Sequence, residues 1–115
     1  MLLEKLRLLE CSLHSDSRHD REWLELILHP DFQEITQSGL MVNRIETITS
    51  LLSERVISPI YSSDFRIIEI GGCSAILIYR TSNIDGSHQV LRSSHWVLSV
   101  ANDWTLLFHQ GTPAK

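Results

Sequence analysis

Residues 92–113 decide the fold, and they read RSSHWVLSVANDWTLLFHQGTP. Polar and apolar side chains alternate in two runs on either side of a short turn, Ala101-Asn102-Asp103. Alternation with a period of two places successive side chains on opposite faces of a strand. The stretch therefore predicts two antiparallel β-strands, at 88–101 and 104–110, that complete a sheet.

The turn between these strands allows two registers. A two-residue turn at Asn102-Asp103 pairs Trp96 with His109, whereas a three-residue loop pairs Trp96 with Phe108. We favour the two-residue turn, because Asn and Asp tolerate the positive φ that it requires. The register matters for function, since it decides on which face of the sheet His109 lies.

Three helices are predicted in the first half of the chain, where apolar residues recur three and four positions apart. The first helix ends near Ser15 and leaves Glu10 outside its leucine stripe. The second begins at the capping pattern Ser17-x-x-Asp20 and ends before Pro30. The third begins at Asn43-x-x-Glu46. The apolar stripes of the first and third helices comprise Leu2, Leu6, Leu9 and Leu13, and Ile45, Ile48, Leu51 and Leu52.

Strands surround and follow the third helix. A strand at 31–36 carries Phe32 and Glu34 on one face, and a short partner strand lies at 40–42. Two longer strands follow at 61–70 and 73–81, and the second of these is apolar on both faces, which is typical of a central strand. Helices first and strands last predict an α+β domain, with three N-terminal helices covering one side of a curved antiparallel sheet.

Length and charge restrict the possible functions. A chain of 115 residues suits one domain, spanning residues 1–115. Ten Lys and Arg residues are scattered along a chain of net charge -4, which disfavours a nucleic-acid partner. The N-terminal residues become charged at Glu4, so no signal peptide or membrane span is predicted. Cys11 and Cys73 lie far apart, so we expect reduced thiols and a cytoplasmic protein.

Several stretches resemble the nuclear transport factor 2-like superfamily, and more narrowly an uncharacterised bacterial branch of it. The similarity is carried by residues 28–34 (LHPDFQE), Ser38-Gly39, Asn43-Arg44, Arg92-Ser93-Ser94-x-Trp96, Trp104 and residues 108–113 (FHQGTP). The resemblance implies a cone-shaped α+β barrel and a homodimer that pairs through the outer face of the sheet. It also implies kinship in fold with ketosteroid isomerase, scytalone dehydratase and polyketide cyclases, although the superfamily includes non-catalytic domains.

A binding pocket is predicted between the sheet and the helices. Arg92, Ser94 and Trp96 share one face by alternation, and they offer a cation, a hydroxyl and an aromatic wall to an anionic or planar ligand. Arg92 could instead stack on Trp96 or pair across the sheet. Tyr79 could donate a hydrogen bond to a ligand oxyanion. The candidate ligand-binding residues are Phe32, Tyr79, Arg92, Ser94, Trp96 and Gln110.

Two residues are candidate acids or bases. Desolvation beside Phe32 would raise the pKa of Glu34 and make it a base, unless Glu34 forms a salt bridge with Arg92 or Arg44. His109 titrates near neutrality when exposed, so it is a second candidate, unless it is a core or solvent-facing histidine. The six histidines show no ligand spacing, so no metal site is predicted.

These observations favour a domain that binds an unidentified small molecule in an apolar pocket. One alternative is an acid-base enzyme of the isomerase, dehydratase or cyclase type that needs no cofactor and uses Glu34 or His109. In that enzyme, Arg92 or Tyr79 would be the electrophilic partner. The other alternative is a protein-interaction module whose hollow is filled by side chains.

Overall fold

Helices come first along the chain and strands last, as the sequence predicts. The computed structural model describes residues 1–55 and 59–115. The helical elements are α1 (Leu2–Ser12), a 3-10 helix (Asp16–His19), α2 (Arg21–Ile27) and α3 (Arg44–Leu52). The strands are β1 (Leu28–Ile35), β2 (Met41–Asn43), β3 (Tyr61–Ile70), β4 (Ser74–Ser82), β5 (Val90–Leu98) and β6 (Trp104–Pro113).

The strands form one six-stranded sheet in the order β2-β1-β6-β5-β4-β3. Register shifts interrupt the β1–β6, β3–β4 and β5–β6 pairs, and such irregularities bend a sheet and increase its twist. The predicted α+β architecture, a curved sheet covered by three helices, is confirmed. The pairs are antiparallel except for β1 and β6, which run parallel. This pair joins distant parts of the chain, and no hairpin signal in the sequence could indicate it.

The hairpin between β5 and β6 differs from both predicted registers. Leu98 lies opposite Trp104, so the loop has five residues, and Asn102 within it has a φ of 67°. Trp96 pairs with Leu106, and a bulge in β6 then brings His109 opposite Ser94. The favoured register was therefore wrong in its pairs, but it placed His109 on the correct face. A bulge adds one unpaired residue and leaves no clear trace in an alternating pattern.

The boundary between α2 and β1 also differs from the prediction. α2 begins after Asp20, whose side chain accepts a hydrogen bond from the backbone N–H of Trp23 at 3.3 Å, and Ser17 lies in the 3-10 helix instead. β1 begins at Leu28, two residues before the exposed Pro30. Ile27 ends α2 and Leu28 begins β1, and both side chains are buried in the core. The chain therefore changes from helix to strand at this point without exposing either side chain.

The start of α3 is confirmed. Asn43 Oδ1 accepts a hydrogen bond from the backbone N–H of Glu46 at 2.9 Å, and Glu46 Oε1 accepts one from the backbone N–H of Asn43 at 3.0 Å, which completes a capping box. The predicted stripe was wrong at Ile45, which is exposed, because α3 turns Thr47 and Ile48 toward the core instead. The hydroxyl-bearing side chain of Thr47 therefore lies on the inner side of α3.

The core lies between α1, α2, α3 and the inner face of the sheet. It is built from apolar residues of the three helices and from alternate residues of the strands: Leu6, Leu24, Ile27, Leu28, Phe32, Ile48, Ala75, Leu77, Tyr79, Trp96 and Leu106. A carboxylate lies among them. Glu10, predicted to lie outside the stripe of α1, is only 1% exposed. Within the described part of the chain, none of the helices has the length and hydropathy to span a bilayer.

Candidate functional site

The buried carboxylate of Glu10 accepts hydrogen bonds from three side chains of the sheet. Tyr79 on β4 donates to Oε2 at 2.6 Å, Ser94 on β5 donates to Oε2 at 2.9 Å, and Trp96 Nε1 donates to Oε1 at 3.0 Å. Burial raises the pKa of Glu10, and these three hydrogen bonds act in the opposite direction because they favour the charged form. The arrangement fixes α1 against two adjacent strands.

His109 links this carboxylate to a guanidinium. The hydroxyl hydrogen of Ser94 is used in the hydrogen bond to Glu10. In the 2.6 Å hydrogen bond between His109 Nδ1 and Ser94 Oγ, the imidazole N–H is therefore the donor. The other ring nitrogen, Nε2, is then free to accept a hydrogen bond from Arg92 Nη1 at 3.4 Å. Burial, followed by the charge of Arg92, lowers the pKa of His109 to about 3. The imidazole is therefore neutral near pH 7 and connects Ser94 to Arg92.

Arg92 is held in one orientation by its neighbours. Its Nε donates to Thr81 Oγ1 at 2.8 Å, in addition to the contact with His109. Gly111 lies opposite Arg92 in the sheet, and a Cβ at Gly111 would be 3.1 Å from Arg92 Nη1. The absence of a side chain at Gly111 therefore leaves room for the guanidinium.

His14 extends the network on the other side of Glu10. The hydroxyl hydrogen of Tyr79 is used in the hydrogen bond to Glu10. In the 3.2 Å hydrogen bond between Tyr79 and His14, the N–H at His14 Nε2 is therefore the donor. Burial lowers the pKa of His14 to about 4, so this imidazole is also neutral at pH 7. Its Nδ1 is a buried acceptor without a hydrogen-bond partner among the described residues.

A cavity of about 130 Å³ lies between this network and the helices. Its volume is well above the space that one water molecule requires. Of the residues that the structure describes, five apolar ones line it: Leu13, Leu28, Phe32, Leu51 and Leu106. Seven polar ones also line it: Glu10, His14, Arg18, Glu34, Thr47, Arg92 and His109. The hydroxyl of Thr47 is buried and has no partner among the residues that the structure describes.

Glu34 is half-buried in the cavity wall and lies opposite His109 in the parallel pair of β1 and β6. Burial raises the pKa of Glu34, and the charge of Arg92 opposes this increase. In the described chain Glu34 pairs with neither predicted partner, because no Arg92 or Arg44 nitrogen lies within 4.0 Å of it. Arg44 instead donates to two backbone carbonyls, those of Leu28 and Glu25.

The residues predicted from sequence fall into three groups. Four line the cavity: Phe32, Glu34, Arg92 and His109. Three are buried behind its wall, where they donate hydrogen bonds to Glu10: Tyr79, Ser94 and Trp96. Gln110 pairs with Ser93 and so lies on the opposite face of the sheet, because successive residues of a strand alternate. The prediction that Gln110 lines the pocket was therefore wrong.

Sequence reasoning missed Glu10, His14 and Thr47. A signal for the first two was present, since Glu10 follows the buried Leu6 by four residues and His14 follows Glu10 by four. Residues spaced four apart share a helix face, so both polar side chains continue the inner side of α1. A polar residue beside a leucine stripe usually faces solvent, so the pattern alone did not indicate a buried site.

Comparisons with known proteins show similarity at the level of the fold. No family model matches the chain, and no curated protein is detectably similar to it. A nuclear transport factor 2-like protein from Cytophaga hutchinsonii matches with a TM-score of 0.79 and 19% identity, over 98% of this chain and 95% of that one. A similar protein of unknown function from Pseudomonas aeruginosa matches with a TM-score of 0.76 and 14% identity, over 97% of each chain.

A third solved structure extends this likeness. It is a protein from a family of unknown function in Pectobacterium atrosepticum, with a TM-score of 0.78 and 12% identity, over 99% of this chain and 88% of that one. Identities this low establish the fold alone. The chain therefore has the nuclear transport factor 2-like fold, as the sequence resemblance implied.

Replacing Glu10 with Gln tests the description of the buried carboxylate. The side-chain amide has one acceptor oxygen, so at least one donor, such as Trp96 Nε1, would face an N–H₂ group instead of an oxygen. We expect a loss of about 1–3 kcal/mol in the free energy of unfolding, measured by urea denaturation. Glu4→Gln, an exposed change in the same helix, is the control and should have little effect. Equal stability of Glu10→Gln and the wild type would show that Glu10 is protonated in the folded protein.

Proposed function

We propose that this domain of nuclear transport factor 2-like fold binds a small organic molecule in the cavity between its sheet and its helices. The observation that carries the proposal is a cavity lined by apolar side chains together with three residues that each have a buried polar atom without a hydrogen-bond partner in the described chain: His14, Arg18 and Thr47. Leaving a buried donor or acceptor unpaired costs about 1–3 kcal/mol. A bound molecule whose polar groups reach these atoms would remove that cost.

The rigidity of the wall supports the same proposal. Three donors hold Glu10, and through Ser94 and His109 the same network fixes Arg92. A ligand that enters such a site meets side chains that are already ordered, so little conformational entropy is lost on binding. The cavity also disfavours an interaction module, because that interpretation requires a hollow filled by side chains.

Filling the cavity should abolish binding. Leu51 and Leu52 are adjacent and half-buried, but only Leu51 lines the cavity. We expect Leu51→Phe to remove the increase in melting temperature that a panel of small organic molecules produces, and Leu52→Phe to retain it. A ligand at one hundred times its dissociation constant stabilises the folded state by about 2.7 kcal/mol. If no compound stabilises the wild type, the proposal fails.

A second candidate function is acid-base catalysis in the same cavity, with Glu34 as the base and Arg92 as the electrophilic partner. The observation that favours it is a carboxylate of raised pKa on the cavity wall. His109 is a weaker candidate, because its pKa of about 3 leaves it unprotonated and weakly basic. Tyr79 is also less suitable, since its hydroxyl donates to Glu10.

The pH dependence of turnover tests this second candidate. A base must be ionised, so the rate should rise with pH through the raised pKa of Glu34, above the ordinary value of 4.5. Glu34→Gln should abolish turnover of an enolisable ketone and retain the melting temperature. Asp31→Asn, an exposed change in the same strand, is the control. Turnover that persists in Glu34→Gln would remove Glu34 from the reaction.

We also propose that two copies pair through the outer face of the sheet, as the resemblance implies. Ile76 and Ile78 of β4 are only half-buried there, and on β3 both Ile68, which lies opposite Ile76, and Ile70 are about half exposed. Burying this apolar strip against a second copy would remove it from water. Sedimentation equilibrium should show a dimer that Ile78→Lys dissociates; a wild type that stays monomeric at high concentration would overturn the proposal.

A cytoplasmic location remains part of the proposal. Cys11 and Cys73 are both free thiols, and Cys73 is exposed. Free exposed thiols persist in a reducing compartment, so this state supports a cytoplasmic protein. Cell fractionation distinguishes this location from an oxidising one.

A further inference from the structure

A second hollow, of about 300 Å³, adjoins the cavity. We call it the outer hollow. Its wall includes Glu54 and Thr81. Two further residues, Arg18 and Arg92, line both the outer hollow and the cavity. The junction between the two spaces is therefore marked by two guanidinium groups.

The charge of Arg18 is balanced within the protein. Its Nε lies 2.9 Å from Glu54 Oε1, and its Nη2 donates to Glu54 Oε2 at 3.0 Å. Only the Nη2 contact is a hydrogen bond, because Nε lies within ion-pairing distance of the carboxylate but has no hydrogen-bond partner among the described residues. Arg18 therefore has its counter-ion and needs none from a ligand.

Arg92 has no such direct contact, although its charge also acts on Glu10 and Glu34 at longer range. Among residues 1–55 and 59–115, no carboxylate oxygen lies within 4.0 Å of its guanidinium. Its two hydrogen-bond partners, Thr81 and His109, are neutral. A half-buried cation with neutral partners has lost part of its hydration without gaining an ion pair. The site therefore favours an anion at Arg92.

The charge balance also indicates which kind of anion fits. A guanidinium that contacts no carboxylate can pair directly with one negative charge, whereas a phosphate carries about 1.5 to 2. Glu10 and Glu34 lie in the same cavity wall, so a second negative charge on the ligand would be repelled. The apolar part of the wall, which includes Leu13, Phe32 and Leu106, suits a hydrocarbon body.

We propose that the ligand is a small organic acid whose single carboxylate binds Arg92 at the junction of the cavity and the outer hollow, while its apolar body occupies the cavity. This inference rests on the small-molecule site proposed above and specifies its chemical class. The fixed orientation of Arg92 matters, because a guanidinium held by Thr81 and His109 presents its remaining N–H groups to a carboxylate without further ordering.

Matched acids and amides test the inference. Benzoate and cyclohexanecarboxylate have nearly the same shapes as benzamide and cyclohexanecarboxamide but differ from them in charge. We expect calorimetry at pH 7 to give each acid an affinity at least ~10-fold higher than that of its amide. Arg92→Gln should abolish this preference. Arg80→Gln is the matched control, because Arg80 lies on the neighbouring strand and outside both spaces, and it should retain the preference.

An NMR titration keeps the test decisive if Arg92→Gln does not fold. In the wild type, the side-chain Nε–Hε signal of Arg92 should move with benzoate and stay in place with benzamide. Amides that bind as tightly as the acids would overturn the organic-acid class and leave the small-molecule site standing. If neither acids nor amides bind, while neutral alcohols of similar size do, the class is also wrong. If no compound of any charge binds, both proposals fail together.

Discussion

The burial of one carboxylate constrains the rest of this structure. Removing a carboxylate from water costs several kcal/mol unless its oxygens are hydrogen-bonded. Glu10 meets this condition only where Tyr79, Ser94 and Trp96 converge, so α1 can take one position over β4 and β5. The dependence is mutual, because each donor is itself buried and needs the carboxylate. A slip of α1 by one turn, or of β5 by one residue, would leave several polar groups unpaired.

Burial also sets the protonation states of the titratable groups around the cavity. It raises the pKa of Glu10 and Glu34 and lowers that of His14 and His109, because it disfavours whichever form is charged. Arg92 opposes the effect on the carboxylates and adds to the effect on the histidines. The histidines are therefore neutral connectors with fixed tautomers, and Arg92 is the cation around which the cavity is organised.

Local patterns predicted the elements well, and long-range contacts explain what they missed. Strand β3 was predicted with its observed bounds, and the capping box of α3 follows from Asn43 and Glu46. In contrast, the donors to Glu10 lie 69, 84 and 86 residues away in sequence, so no local pattern could identify that carboxylate as buried. The bulge in β6 is likewise a product of packing. Gln110 was predicted to lie in the pocket, but it faces the opposite side of the sheet from His109, because adjacent residues of a strand alternate.

Whether the site only binds or also catalyses depends on one side chain. A proton-transfer reaction needs a group that can exchange a proton near neutral pH and can reach the ligand. His14 and His109 bind protons too weakly, with pKa values of about 4 and about 3, and Glu10 is fully occupied by its three donors. Among the described residues of the cavity wall, Glu34 is the remaining carboxylate that no side chain holds by a hydrogen bond. Arg92 suits either function, since a guanidinium can hold a bound carboxylate or stabilise a developing oxyanion. The fold is therefore compatible with both functions, and the environment of Glu34 separates them.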